Sequence, residues 1–407
     1  MNRFSFYALV IFFFSLPWQD FVTLPGGSFL SVSRLIGLIL IVAGLGATLR
    51  RGALRLRVPA ATLILTVLFA FWAVCGTLWS SGSAGGVAIS AVTYVQLAVM
   101  ALLIWQLCRN LPDHRTLLQA YVLGTYIVAG QIAVQYITNP FVPNSTQSME
   151  RYTGLGTNPN GVATAIALAL PVAWYLGHFW ARGLLRWLNY LYLPLALFAI
   201  ILTASRGGFL VGLVGLMVVP LTFRRLPPRA KAATLVFAVL SVGAIAATIP
   251  LANFTRIAET SSEISDGDVS SRGAIWQAGL QLYTGSPIIG IGTGSFVSSV
   301  EPLLGRRINA HNAFLKILIE MGVIGFLIFT VNFFVVLRPL LRLPGPEKMF
   351  YLCLWAALVV SMLPSNVEDA QYVWALLTLM ATRQAYVLRL PSSGTASILE
   401  PSGTVGG

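Results

Sequence analysis

Runs of about 20 apolar residues recur from one end of this sequence to the other, and that recurrence limits the fold before any single residue is weighed. A run of this length crosses the hydrocarbon of a bilayer as an α-helix. Only helices and closed barrels satisfy their backbone polar groups there. The composition points the same way: 57% of the 407 residues are hydrophobic and 10% are charged, against about 25% charged in an ordinary soluble domain. The sequence therefore predicts an all-α polytopic membrane protein with about 12 transmembrane helices. The expected spans are roughly 4–23, 30–49, 59–79, 85–107, 116–137, 160–180, 187–204, 207–223, 231–250, 312–337, 348–364 and 372–389. The first run, FSFYALVIFFFSLPW, has no small-residue cleavage site and reads as a spanning helix rather than a cleaved signal.

A net charge of +13 raises the question of nucleic acid. The cations sit instead in short clusters between apolar runs, as cytoplasmic loops do under the positive-inside rule, so no nucleic-acid partner is expected. Arg3, Arg50, Arg51, Arg55, Arg57, Arg109, Arg115, Arg182, Arg186, Arg224, Arg225, Arg229, Lys231, Arg338, Arg342, Lys348, Arg383 and Arg389 fall at alternate connections. That is 18 of the 26 basic residues, and it assigns these connections and both termini to the cytoplasm. The opposite side receives SSGSAGG, the 138–159 loop, the SRGG turn, the long segment at about 251–311, and PSNVEDA. A single integral membrane domain over 1–390 is expected, followed by a small, polar tail at 391–407 that reads as disordered and cytoplasmic. Cys75, Cys108 and Cys353 lie in or beside apolar segments, so neither a structural disulfide nor a metal knuckle is expected.

Cations on the outer side break the charge pattern. They are Arg34, Arg151, Arg206, Arg256, Arg272, Arg306 and Arg307, with Lys316 just inside a span. Arg206 stands in a tight turn before Gly207 and Gly208. It is either a snorkelling arginine or helix cap, or an anion ligand whose planar fork suits a phosphate. Arg272 follows Ser270 and Ser271, which are good N-cap residues, so it falls in the first turn of a helix. A cation there opposes the helix dipole unless an anion is bound between guanidinium and backbone amides; the alternative is a solvated surface arginine. His311, beside Asn312 at the entrance to a span, is a helix cap or interface anchor on one reading and a proton acceptor on the other. His114 and His178 are placed on the cytoplasmic side, in a loop and near a helix end. Glu320 lies one turn after Lys316, as an intramembrane ion pair or as a residue that orients the site.

Two short motifs are set aside. Asp266-Gly-Asp268 matches a metal-binding pattern of nucleotide-sugar enzymes but fits a solvated turn better. Gly290-x-Gly292-x-Gly294 has no strand–helix unit around it, so its glycines point to a tight re-entrant turn or a close backbone approach.

Taken together, TNPNGVATAIALALP from Thr157, TASRGGFLVGLVGL, SRGAIWQAGLQLYTGSPIIGIGTGSF and HNAFLKILIEMGVIGFLIF resemble, in order and spacing, the bacterial O-antigen ligase and polymerase superfamily. The resemblance covers roughly 157–330 and implies a GT-C-type glycosyltransferase at the periplasmic face of the inner membrane. It implies a metal-independent, inverting transfer of a polysaccharide from undecaprenyl diphosphate to lipid A–core, with no cofactor. By that likeness Arg206 and Arg272 hold the diphosphate, His311 is or assists the base, and Arg34 is an extra diphosphate contact. Glu320 and Asn312 are supporting candidates. A polymerase of O-antigen or exopolysaccharide and a protein glycosylase share these landmarks, so the acceptor stays open; the compact chain favours the ligase over the glycosylase. A transporter of lipid-linked oligosaccharide is the rival from another class. It would favour internal repeats and midplane charges; the sequence shows no repeat and few central charges.

Overall fold

The structure, a computed structural model, describes residues 3–19, 36–37, 39, 60–138, 151–154, 158–248 and 270–387. In chain order the described helices are α1 (Arg3–Ser15), α2 (Ala61–Cys75), α3 (Ala84–Leu107), α4 (Leu111–Thr138), α5 (Pro159–Phe179), α6 (Gly183–Leu202) and α7 (Arg206–Leu216). They continue as α8 (Val218–Phe223), α9 (Pro228–Thr248), α10 (Ser270–Gly285), α11 (Phe296–Leu304), α12 (Ala313–Leu340), α13 (Gly345–Ser361) and α14 (Gln371–Val387). Seven stretches among the described residues are long and apolar enough to cross a membrane: 61–79, 84–107, 111–138, 159–179, 183–202, 206–223 and 313–340. Among the described residues the regular structure is all-helical, and the number of long apolar helices is that of a multi-pass membrane protein. Helices also occupy the expected spans at α1, α9, α13 and α14. Most of the expected span 30–49, with Arg34, lies outside the described residues, as do Arg256, Asp266, Asp268 and the tail 391–407.

Helix α5 is the centre of the bundle. Of its most apolar window 83% is buried, against 33–61% for the other candidate spans. Its alanine-rich sequence lets α4, α6, α7 and α13 pack against it, and its polar neighbours are satisfied as buried groups must be. The Tyr121 and Tyr192 hydroxyls donate to the Ala165 and Ile166 carbonyls, both at 2.9 Å. Beside it, α2, α3, α12 and α14 form a second packed group. There Asn332 donates to Thr66 at 3.0 Å, and the Phe69 and Trp374 rings stack at 5.5 Å.

Helix direction sorts the charges to one end. Arg115 lies near the start of α4, Arg186 near the start of α6, Arg338 in the last turn of α12, Lys348 near the start of α13 and Arg383 near the end of α14. At this basic end Arg383 grips Glu347 with two hydrogen bonds of 2.8 and 2.9 Å. His114 is not in a loop as expected. It is fully buried in the first turn of α4, its Nε2 3.1 Å from the Leu379 carbonyl and 3.3 Å from the Tyr351 hydroxyl. His178 lies over Trp174, ring centres 3.9 Å apart. Both are packing residues far along their helices from the opposite end.

That opposite end holds a backbone feature on which the outer segment depends. In α12, Gly322 leaves the helical conformation (φ 65°, ψ −173°). The glycine turn between α10 and α11 lies against this break. Ile291 N donates to Ile319 O at 3.0 Å, Gly292 N to Glu320 O at 2.9 Å, and Val323 N to Pro287 O at 2.9 Å. Gly290 has φ 76°, and a Cβ there would collide with the Glu320 carbonyl, so the approach requires glycine. This is the close backbone approach expected of the glycine run.

Candidate functional site

Three helix N-termini lie at the end away from the basic loops, and each is closed by a polar cap present in the sequence. Asn158 caps α5 by accepting from Asn160 N at 3.0 Å. Ser205 caps α7 by accepting from Gly208 N at 3.2 Å. Asn312 caps α12 by accepting from Leu315 N at 3.0 Å. These caps are tied together. Ser205 Oγ donates to Asn160 Oδ1 at 2.9 Å, and Arg151 donates to the same oxygen at 2.8 Å and to Thr203 O at 3.1 Å. Arg206 is therefore the first residue of α7, half-buried, beside a network that joins the starts of α5 and α7.

The connection from α13 to α14 links this corner to His311. A Cβ at Gly207 would stand 2.7 Å from Pro364, so the SRGG turn packs on that connection. Two residues earlier, Met362 O accepts from Ala313 N at 2.8 Å, which fixes the start of α12. His311 precedes that start in the left-handed region, φ 50°. A residue other than glycine is uncommon there, so the packed backbone on either side holds His311 in this conformation.

Helix α10 brings in the third candidate. Trp276 Nε1 donates to Ala310 O at 2.9 Å, which docks α10 next to His311. Arg272, one turn earlier in α10, acts on the imidazole. His311 is pushed below the ordinary histidine value, first by burial and then by the Arg272 charge. At neutral pH the ring is therefore neutral, which is the form that accepts a proton. Arg206, Arg272, His311 and Asn312 thus share one end of the bundle, drawn from three helices and one turn.

Glu320 has a different role from the expected ion pair. Its Oε1 accepts from Phe296 N at 3.0 Å, so it closes the start of α11. Lys316 instead bonds Glu368 Oε1 at 2.6 Å. Spacing on one helix predicted the Lys316–Glu320 pair; the exposed amide at the start of α11 and a carboxylate 52 residues away override it. Two further residues, Arg151 and Asn160, join the site without having been singled out as ligands. The signals available were Arg151's place among the outer cations and Asn160's place in TNPNG. Arg34 lies outside the described residues.

Fold and site together describe a multi-pass membrane protein with an arginine- and imidazole-bearing cluster at the end of the bundle opposite its basic loops. Residues 191–330, about a third of the chain, match the family model described as O-antigen ligase. The match supports membership in the O-antigen ligase superfamily, which includes both ligases and polymerases. It takes in Arg206, Arg272, His311 and Glu320. No curated protein matches the chain.

Proposed function

We propose that this chain is an inverting O-antigen ligase of GT-C type with twelve spans in the bacterial inner membrane. It takes a polysaccharide from undecaprenyl diphosphate at the periplasmic face and joins it to lipid A–core. The observation that supports the reading is that Arg206, Arg272 and His311 lie at the same end of the bundle as three capped helix N-termini, with Arg272 acting on His311. A glycosyl diphosphate already has a good leaving group. Guanidinium groups and helix dipoles stabilise the charge that develops on it, most strongly where water is excluded. The neutral His311 imidazole takes the proton of the attacking acceptor hydroxyl. The diphosphate leaves on its polyprenyl carrier as the new glycosidic bond forms. The arginines fill the charge-neutralising role, so no metal ion is required. The break in α12 at Gly322 does not favour the transporter, because the 287–292 backbone occupies the freed hydrogen-bonding groups.

The test is reconstitution of the purified chain with an undecaprenyl-diphosphate glycan and two acceptors, lipid A–core and a second lipid-linked repeat. Transfer to lipid A–core supports the ligase; elongation of the lipid-linked repeat makes the chain a polymerase. Movement of the donor across the membrane with no new linkage refutes both. His311→Ala is expected to lower transfer by about 10²–10⁴-fold, the usual contribution of a general base, while the protein stays folded in the membrane. Activity lost to EDTA and restored by Mg²⁺ would overturn the metal-independent mechanism.

A further inference from the structure

The connection between α13 and α14 holds an unusual set of polar atoms. Over Ser365–Gln371 four oxygens are shielded from solvent and have no hydrogen-bond partner among the described residues: Ser365 Oγ, Asn366 Oδ1, Glu368 Oε2 and Gln371 Oε1. Ser365 is 5% exposed and Glu368 0%. Native proteins rarely leave such atoms unmatched, because each keeps its desolvation cost without a bond in return. Here they crowd into seven consecutive residues. The segment is held rigidly: Lys316 fixes the other carboxylate oxygen at 2.6 Å, and Trp374 Nε1 donates to the Glu368 carbonyl at 2.7 Å. It is also anchored to both halves of the site, through Pro364 against Gly207 and Met362 O to Ala313 N.

The chemistry of the set narrows the ligand. Two of the four unmatched atoms are amide oxygens and one is a carboxylate oxygen paired through its twin with Lys316, all acceptors; the fourth, a hydroxyl, accepts as readily as it donates. The unmatched atoms therefore call mainly for donors from a ligand, while the Asn366 and Gln371 amides can also donate. An anion would be repelled by Glu368 and by exposed Asp369. A cation would compete with the Lys316 ammonium already on the same carboxylate. A neutral ligand with several hydroxyl groups satisfies both conditions, and a sugar is such a ligand. The group to be deprotonated belongs to the acceptor and must reach His311, whose segment this connection fixes.

We propose that Ser365, Asn366, Glu368 and Gln371 form the subsite that receives the hydroxyl groups of the acceptor sugar, with Glu368, oriented by Lys316, as its positioning residue. This rests on the glycosyltransferase reading above. The test uses the full chain, the lipid-linked donor and lipid A–core at varied concentrations. The variants are Asn366→Ala, Ser365→Ala and the double change Lys316→Met with Glu368→Leu, which removes both charges of the bonded pair together. The expected result is a tenfold or larger rise in the acceptor KM, with the donor KM and the melting temperature unchanged. An unchanged acceptor KM in the folded double variant overturns the proposal and makes the segment structural. If the double variant does not fold, the same comparison on Asn366→Ala and Ser365→Ala decides. A melting temperature raised by Ca²⁺ or Mg²⁺ in the unaltered protein but not in Asn366→Ala also overturns it, as a cation site. No transfer by the unaltered protein to any acceptor refutes the glycosyltransferase reading itself. Transfer with unmoved acceptor KM values refutes the subsite alone.

Discussion

Gly290→Ala is the sharpest test of how the outer segment is held. An added Cβ would collide with the Glu320 carbonyl and stand 2.5 Å from Gly322 N. These are backbone atoms, so no rotamer change relieves the clash. The left-handed φ of 76° adds about 1–2 kcal/mol for any residue with a Cβ, and overpacking adds about 1–3 kcal/mol. Together they predict a loss of about 2–5 kcal/mol. Gly285→Ala is the matched control: the same chemical change at the end of α10, with nothing within 4 Å of the new Cβ. It should be neutral or stabilise by up to about 1 kcal/mol. Thermal denaturation of the two purified variants in one detergent reads the difference. A domain of 150–250 residues loses about 2–4 °C per kcal/mol. This longer chain loses somewhat less, so Gly290→Ala should melt several degrees below Gly285→Ala. Glycan transfer should fall with it, because the turn braces the stretch of α12 that carries Glu320 and follows His311. Equal melting temperatures for the two variants would refute the account of the α12 break.

Other perturbations separate the pieces of the site. Trp276→Phe removes the bond to Ala310 O, worth about 0.5–1.5 kcal/mol. It should slow transfer about tenfold or more through misplacement of α10, with little change in melting temperature; an initial rate equal to that of the unaltered protein would uncouple α10 from His311. Arg272→Gln removes the smaller of the two causes that depress His311. The acidic limb of the kcat/KM profile, which lies below the ordinary histidine value, should therefore move to higher pH yet stay depressed by burial; an unmoved limb would show that Arg272 does not act on the base. Glu368→Ala leaves the Lys316 ammonium buried without its partner and should cost about 3–5 kcal/mol. The Lys316→Met, Glu368→Leu double variant should recover most of that in the same melting assay, and failure to recover would mean the pair is not an isolated electrostatic unit.

The helices and the sorting of charge were legible because they depend on local properties: run length, apolarity and cationic clusters. Arg206 and Arg272 stood out as violations of that sorting, and His311 stood out as an ionisable residue at the entrance to a span. The partner of Lys316 was not. A spacing of four residues brings Glu320 to the same face of α12, yet Phe296 N at the start of α11 takes that carboxylate. No local pattern announces an amide delivered by tertiary packing. Arg151 and Asn160 were missed for a related reason. Their bond to one another and to Ser205 joins the starts of two helices 45 residues apart, and neither start shows by itself that it needs the other.

The placement of the cluster follows from the topology that sorts the charges. Helices α5, α7 and α12 all begin at the end opposite the basic loops, so their positive dipole ends gather where the charge bias of the loops leaves few cations. If that end faces the periplasm, as proposed, loose lysines and arginines are scarce there. Positive potential must then come from fixed sources: capped helix starts and arginines locked by local bonds. Arg151, held by Thr203 O and Asn160 Oδ1, is such a residue. A site assembled this way is rigid before substrate arrives, which is the condition under which dipoles and guanidinium groups stabilise developing charge without reorganisation. It follows that Asn160→Ala, which leaves every proposed ligand in place, should still lower transfer by releasing Arg151 and Ser205 together. Loss with Asn160→Ala and retention with Asn160→Asp, whose oxygens still accept both bonds, would show that the two accepted bonds hold the site; equal transfer by Asn160→Ala and the unaltered protein would refute it.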